Sequence, residues 1–177
     1  GWKHSVIHVH ISPAMRAGFT QLQVNLDKDG QGEGNTGENQ FVIYVVDGTG
    51  GITVDEKKHR LERGSYAYVP AGKDIQIKSS GAHFRLLIFQ KPYQYLAGIA
   101  KPSVIVGHER EIKRQPFLGN EDARFQVLLP DKLEFDMAVN IFTYQPGATL
   151  PFVETHIMEH GLLMLKGQGV YRLEEDY

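Results

Sequence analysis

A carboxylate and two imidazoles sit close together in the stretch Glu154-Thr-His156-Ile-Met-Glu159-His160, between Pro146-Gly147 and Gly167-Gln-Gly169. Oxygen and imidazole donors without sulfur suit a divalent Mn, Fe, Zn, Ni or Co ion, and spacing does not choose among them. On a strand, Glu154 and His156 alternate with period two and so share a face. His160 has the right parity too. On one straight strand, however, four residues at about 3.3 Å each would carry it roughly 13 Å away. The chain must therefore turn after His156, and two paired strands with a bend between them would bring all three side chains together.

The same residues allow other chemistry. His156-Ile-Met-Glu159-His160 matches H-x-x-E-H, an inverted zinc-peptidase motif that needs a helix to bring its histidines together. Pro151 precedes it and Gly161 follows at once, so the flanks favour strands over a helix. His8-Val-His10 has same-face spacing but no third ligand nearby and reads as a strand pair. His4, His59, His83 and His108 are scattered and read as surface. Phe152 and Met158 flank the ligands as barrel filling, and Tyr171 by itself is an ordinary barrel tyrosine. Tyr66/Tyr68 and Tyr93/Tyr95 read as core or interface packing.

These residues need strands to position them, and strands are what the chain offers. Short β-branched and aromatic runs alternate with Gly, Pro and Asp punctuation. Candidate strands are 5–11, 19–25, 40–46, 51–54, 57–61, 65–69, 74–78 and 84–89, then 125–129, 137–144, 162–165 and 169–173. Such spacing points to a sandwich or barrel. Gly30–Gly37 is a polar glycine-rich loop without the Lys and following helix of a phosphate loop. Residues 91–120 read as a connection with Pro92, Pro102 and Pro116, in which 110–115 could form one turn of helix. No long amphipathic helix stands out.

The 177 residues allow one or two small domains. With 41% hydrophobic and 23% charged residues the composition is that of an ordinary globular protein. A net charge of −2 gives no electrostatic case for nucleic acid or an anionic membrane. No cysteine is present, so no disulfide holds the fold, which is compatible with a reducing cytoplasm. No apolar run approaches the ~20 residues of a membrane span. Gly1-Trp-Lys-His does not look like a signal peptide, and the missing Met implies that Gly1 is not the true N-terminus.

An internal repeat organises these strands. Phe41-Val-Ile-Tyr-Val-Val-Asp-Gly48-Thr-Gly50 resembles His160-Gly-Leu-Leu-Met-Leu-Lys-Gly167-Gln-Gly169, each an apolar strand running into a Gly-x-Gly turn. Aligning Gly48 with Gly167 puts Asn35, Gly37 and Phe41 at the places of Glu154, His156 and His160. The first copy thus keeps the turn and loses the ligands. It continues with Gly64-x5-Pro70-x-Gly72-x2-Ile75, which resembles the second motif of the cupin family with Ile75 in place of the metal-binding His. Gly147-x6-Glu154-x-His156-x3-His160-x6-Gly167 resembles the first cupin motif, with Glu and His exchanged and one extra residue before Glu154. The chain therefore resembles an all-β tandem of cupin (double-stranded β-helix, jelly-roll) barrels, the first without ligands and the second cut short after Gly167.

The likeness narrows at Glu154-x-His156-x3-His160-Gly, Gly167-Gln-Gly-Val-Tyr-Arg-Leu173, Leu128-Leu-Pro-Asp-Lys-Leu-Glu-Phe-Asp-Met137 and Phe142-Thr-Tyr-Gln-Pro-Gly147. Together these resemble the (S)-ureidoglycine aminohydrolases, manganese bicupins of allantoin breakdown. The resemblance implies a homo-oligomeric, cytoplasmic hydrolase acting on a small molecule, with no nucleic-acid or membrane partner. It implies Mn(II) held by Glu154, His156 and His160, with Glu159 in the turn and not a ligand, Glu154 also acting on substrate as proton acceptor, and Tyr171 contacting substrate. It also implies a segment before Gly1, and after Tyr177 a Gln as fourth ligand and a substrate-binding Lys. The expected domains are a ligand-free barrel over 1–98, a linker over 99–120 and the first part of a metal-binding barrel over 121–177. Two alternatives stay open: an Fe(II) cupin dioxygenase, since two His and a carboxylate form a facial triad, and a non-catalytic ligand-binding bicupin.

Overall fold

The computed structural model describes residues 1–150 and 152–173; Pro151 and the end of the expected second domain, 174–177, lie outside the described residues. Ten strands follow one another: β1 (Trp2–Ile11), β2 (Thr20–Asn35), β3 (Asn39–Val54), β4 (Lys57–Glu62), β5 (Ser65–Val69), β6 (Asp74–Pro92), β7 (Ile105–His108), β8 (Gln115–Phe117), β9 (Asn120–Val127) and β10 (Asn140–Tyr144). Two single 3-10 turns, Pro13–Met15 and Glu109–Glu111, are the only helical elements among the described residues. No helix there is long and apolar enough to cross a membrane.

The first sheet runs β1-β2-β6-β3-β5-β7, with β4 also paired to β3, and every pairing is antiparallel. Two strands anticipated as separate pieces on either side of residues 47–50 and 79–83 are single long strands, β3 and β6. The reason is a pair of register shifts in β3, between Val45 and Asp47 and between Gly48 and Gly50. A bulge of this kind bends a strand without ending its ladder. Gly48 sits there at φ +84°, where an added Cβ would meet the His83 carbonyl oxygen at 2.2 Å. The expected Gly-x-Gly turn is therefore a bulge. Its counterpart Gly167 shares the positive φ, at +88°, but lies in a bend outside any strand.

Residues 30–35 correct a second expectation. They are not a loop but the end of β2, paired with β6 from Gln31↔Lys78 to Asn35↔Asp74. Glycine suits this place because the Trp2 ring lies against Gly32, where a Cβ would meet ring carbons at 2.3 Å.

Alternation along β2, β3 and β6 sends Val24, Leu26, Ile43, Val45, Ile52, Val54, Phe84, Leu86 and Ile88 into one core, completed by Leu61, Ala67, Val69 and Ile77. The intervening residues face the other way. Val42 and Tyr44 of β3, Tyr66 and Tyr68 of β5 and Leu87 of β6 are also buried, under Leu128, Leu129, Phe135, Met137 and Val139. A sheet covered on both faces explains why Phe41–Val46 is a continuous apolar run. The tyrosine pair Tyr66/Tyr68 thus serves the junction between the two copies.

A polar latch crosses the same junction. Tyr68 Oη donates to Gln40 Oε1 at 3.0 Å, and Gln40 Nε2 donates to Asp136 Oδ1. Lys91 Nζ reaches Asp136 Oδ2 at 2.7 Å, and the Gln94 N–H donates to the same oxygen at 3.0 Å. Gln40 and Tyr68 are fully buried, so these bonds satisfy groups that would otherwise be costly to bury.

The stretch 99–120 carries structure of its own. β7 pairs with β5 of the first sheet, while β8 pairs with β9 in a second sheet ordered β10-β9-β8. The helical turn anticipated at 110–115 forms at Glu109–Glu111. The second sheet holds the strands anticipated near 125–129 and 137–144. The strands expected at 162–165 and 169–173 do not form; that stretch shows one isolated bridge, at Leu173.

Candidate metal centre

β10 ends at Tyr144, and a turn closed by the Ala148 N–H on the Gln145 carbonyl (2.9 Å) redirects the chain. The chain then bends at Ile157–Met158, between the two histidines. This bend supplies the reversal that the spacing demanded, and without paired strands. One metal-binding atom from each of Glu154, His156 and His160 lies within 4.8 Å of the other two. The His156 and His160 ring centroids are 4.5 Å apart at 51°. No helix spans residues 156–160, which removes the geometry required by the peptidase motif.

The donors fit a divalent ion chemically: one hard carboxylate oxygen and two imidazole nitrogens, close enough to share a centre. Among the described residues this is the single cluster of three or more acidic or His side chains of that kind. All three residues are exposed, whereas the expected site belonged to a metal-binding barrel over 121–177. Phe152 and Met158, expected as barrel filling, are exposed as well, at 42% and 67%.

Tyr171 lies open to solvent, within electrostatic reach of Tyr144. Burial pushes the Tyr144 hydroxyl above the usual tyrosine range, and the Glu154 carboxylate and Tyr171 push it further the same way. Tyr144 therefore stays protonated in the field of the Glu154 carboxylate. Sequence reading passed over this residue. A signal was present: on β10 Tyr144 shares the parity of Phe142, and their rings stack at 6.0 Å.

The aligned places in the first copy hold no ligand set. Asn35 accepts from the Gly37 N–H at 2.8 Å and donates to Asp74 Oδ1 at 2.7 Å, which makes it a turn residue. Gly37 has φ +59°. Phe41 and Ile75 pack on the main core.

Comparison with known proteins bears on fold and chemistry. Residues 24–88 match the cupin domain family. The chain is 32% identical to the (S)-ureidoglycine aminohydrolase of Escherichia coli (strain K12), across 94% of this chain and 64% of that protein. It is 28% identical to the (S)-ureidoglycine aminohydrolase of Arabidopsis thaliana, across 99% of this chain and 58% of that protein. A Pseudomonas aeruginosa crystal structure described as a glyoxylate-induced protein superposes with a TM-score of 0.79 and 28% identity, across 89% of this chain and 61% of that one. The chain thus spans about three fifths of the length of the relatives it matches. Its architecture is the cupin fold, and its likeness to (S)-ureidoglycine aminohydrolases runs along nearly its whole length.

Proposed function

From this cupin chain, similar to (S)-ureidoglycine aminohydrolases from end to end, we propose a protein that hydrolyses (S)-ureidoglycine to (S)-ureidoglycolate and ammonia, using Mn(II) held by Glu154, His156 and His160. The observation that carries the reading is the approach of one carboxylate and two imidazoles to within 4.8 Å around a bend. The reading brings with it a cytoplasmic, homo-oligomeric enzyme of purine breakdown.

The reaction replaces an amine by water on a carbon that also bears a ureido group and a carboxylate. A C–O bond forms, the C–N bond breaks, and the electron pair leaves with nitrogen. When bound, Mn(II) supplies Lewis-acid polarisation and a template for the substrate carboxylate and amine, without redox change. His156 and His160 serve as neutral ligands that must be deprotonated to bind. Glu154 offers one oxygen to the centre and a second that takes a proton from water and returns it to the departing amine. Tyr171 and the protonated Tyr144 donate hydrogen bonds that orient the substrate.

The test is ammonia release from freshly generated ureidoglycine by the full-length protein, with and without manganese. The expected result is a manganese-dependent rate above spontaneous decay. A metal-loaded protein no faster than background would end this reading. Oxygen consumption after iron reconstitution would replace it with the facial-triad dioxygenase, which uses the same donor set.

A further inference from the structure

The turn that carries His156 and His160 is fastened to the first copy. Glu159 Oε2 accepts the Gly18 N–H at 2.8 Å. Gln21 Nε2 donates to the Leu162 carbonyl at 2.9 Å. Between these two bonds Gly161 presses onto the first copy, where a Cβ would meet Gln21 Oε1 at 2.5 Å and the Phe19 ring at 2.8 Å. Leu163 then packs on the cluster of Tyr44, Tyr66 and Leu87. His160 therefore lies between anchored neighbours on both sides, while Ile157 and Met158 at the bend touch little.

The arrangement repeats the polar latch at the other side of the junction. In the alignment that pairs Gly48 with Gly167, Glu159 takes the place of Gln40 and Met137 that of Gly18. Gln40 reaches across to Asp136, just before Met137, and Glu159 reaches across to Gly18. Each copy thus extends the side chain at one matched position into the same region of the other. In the first copy this reach closes a packed junction. In the second it falls one residue before a metal-binding histidine.

We propose that the first copy is the positioning element of the metal centre: Gly18 through Glu159, and Gln21 through Leu162, set where His156 and His160 stand. The inference rests on the metal reading of Glu154, His156 and His160. Glu159 and Gln21 are positioning residues and touch no reacting atom.

The experiment is a Mn(II) titration of the full-length protein, followed by the electron paramagnetic resonance signal of free Mn(II), on Gly18→Ala, Glu159→Ala, Glu159→Gln and the Gly18→Ala/Glu159→Ala double variant. A methyl at Gly18 would meet Glu159 Oε2 at 2.7 Å, the mobile end of a side chain, so it displaces the carboxylate without disturbing backbone. Gly18→Ala and Glu159→Ala are each expected to weaken Mn(II) binding roughly three- to tenfold, the scale of one exposed charge-assisted hydrogen bond. The double variant should be no weaker than either single one, because both remove one interaction. Glu159→Gln should retain affinity, since its amide oxygen still accepts the Gly18 N–H. The thermal midpoint of the metal-free protein should stay unchanged throughout. Wild-type affinity in Gly18→Ala, or additive losses in the double variant, would overturn this inference and leave the metal reading intact. A wild-type protein that binds no Mn(II) would overturn both.

Discussion

Phe41 and His160 hold matching places in the two copies and live in opposite surroundings. Phe41 packs against the main core, whereas His160 is exposed and faces another imidazole at 4.5 Å. The contrast extends to the neighbours. Asn35 bonds its own turn and Asp74, while Glu154 points toward the two histidines. In one copy these positions serve folding, and in the other they stand in solvent with their donor atoms together. A residue held by apolar contacts stabilises the sheet and can offer nothing to an ion. A residue left in solvent contributes little to stability and stays free to coordinate.

The sharpest way to break this comparison is His156→Ala. It removes one of three donors and should bring manganese content, measured by elemental analysis, to background, with loss of ammonia release. Ile75→Ala in the first copy should leave manganese content unchanged. Metal retained by the first variant and lost from the second would reverse the roles assigned to the copies.

Glu154→Gln sharpens the functional half. The amide keeps one oxygen donor but cannot take a proton, so turnover should fall about 10²- to 10⁴-fold while manganese content falls far less. Equal losses in both would make Glu154 a ligand only.

Asp136→Asn probes the structural half. Burial alone would raise the Asp136 carboxyl, but bonds from Lys91, Gln40 and the Gln94 N–H outweigh it and hold the group below the usual carboxylate range. A depressed carboxyl contributes stability that is present above its unfolded value, near 3.9, and lost as pH falls through the folded one. Asp136→Asn should cost roughly 1.5–3 kcal/mol at pH 7 in urea unfolding and flatten the acid limb of stability against pH. An unchanged acid limb would show that the latch carries no charge.

Tyr171→Phe is the mildest test. It should raise KM a few-fold with manganese content unchanged, because a hydroxyl that only orients substrate acts through binding. A fall in kcat at constant KM would give it a chemical role instead.

Faces were legible in the sequence, and partners were not. β5 lies where the β-branched and aromatic run placed it, from Ser65 to Val69, whereas the burial of β3 on both faces emerged only with the segments that pack on it. Breaks in the sequence pattern at 47–50 and 79–83 suggested ends, yet the ladder between β3 and β6 runs through them because a bulge absorbs the extra residues. Gly30–Gly37 looked like a loop because its composition is polar. Gln31 to Asn35 nevertheless pair, because β6 lies alongside and the Trp2 ring covers Gly32, and only Thr36 and Gly37 remain outside the strand. Residues 162–165 have strand composition, but composition makes a strand only where a neighbour offers hydrogen bonds. For the site, ligand types and spacing were readable, whereas exposure, the nearness of Tyr144 and the anchoring by Gly18 depend on contacts between distant segments.

The doubly covered sheet of the first copy sets an order of events during synthesis. Val42, Tyr66, Tyr68 and Leu87 are complete once β6 has been made at Pro92, but their cover arrives only with Leu128 to Val139. At about 5–20 residues per second the ribosome leaves that aromatic face bare for a few seconds. During this interval the nascent chain presents a broad apolar surface that a chaperone could shield, or another nascent chain could seize. The closing segment ends that exposure, so slow codons between Pro92 and Val139 should lower the yield of folded protein more than slow codons elsewhere.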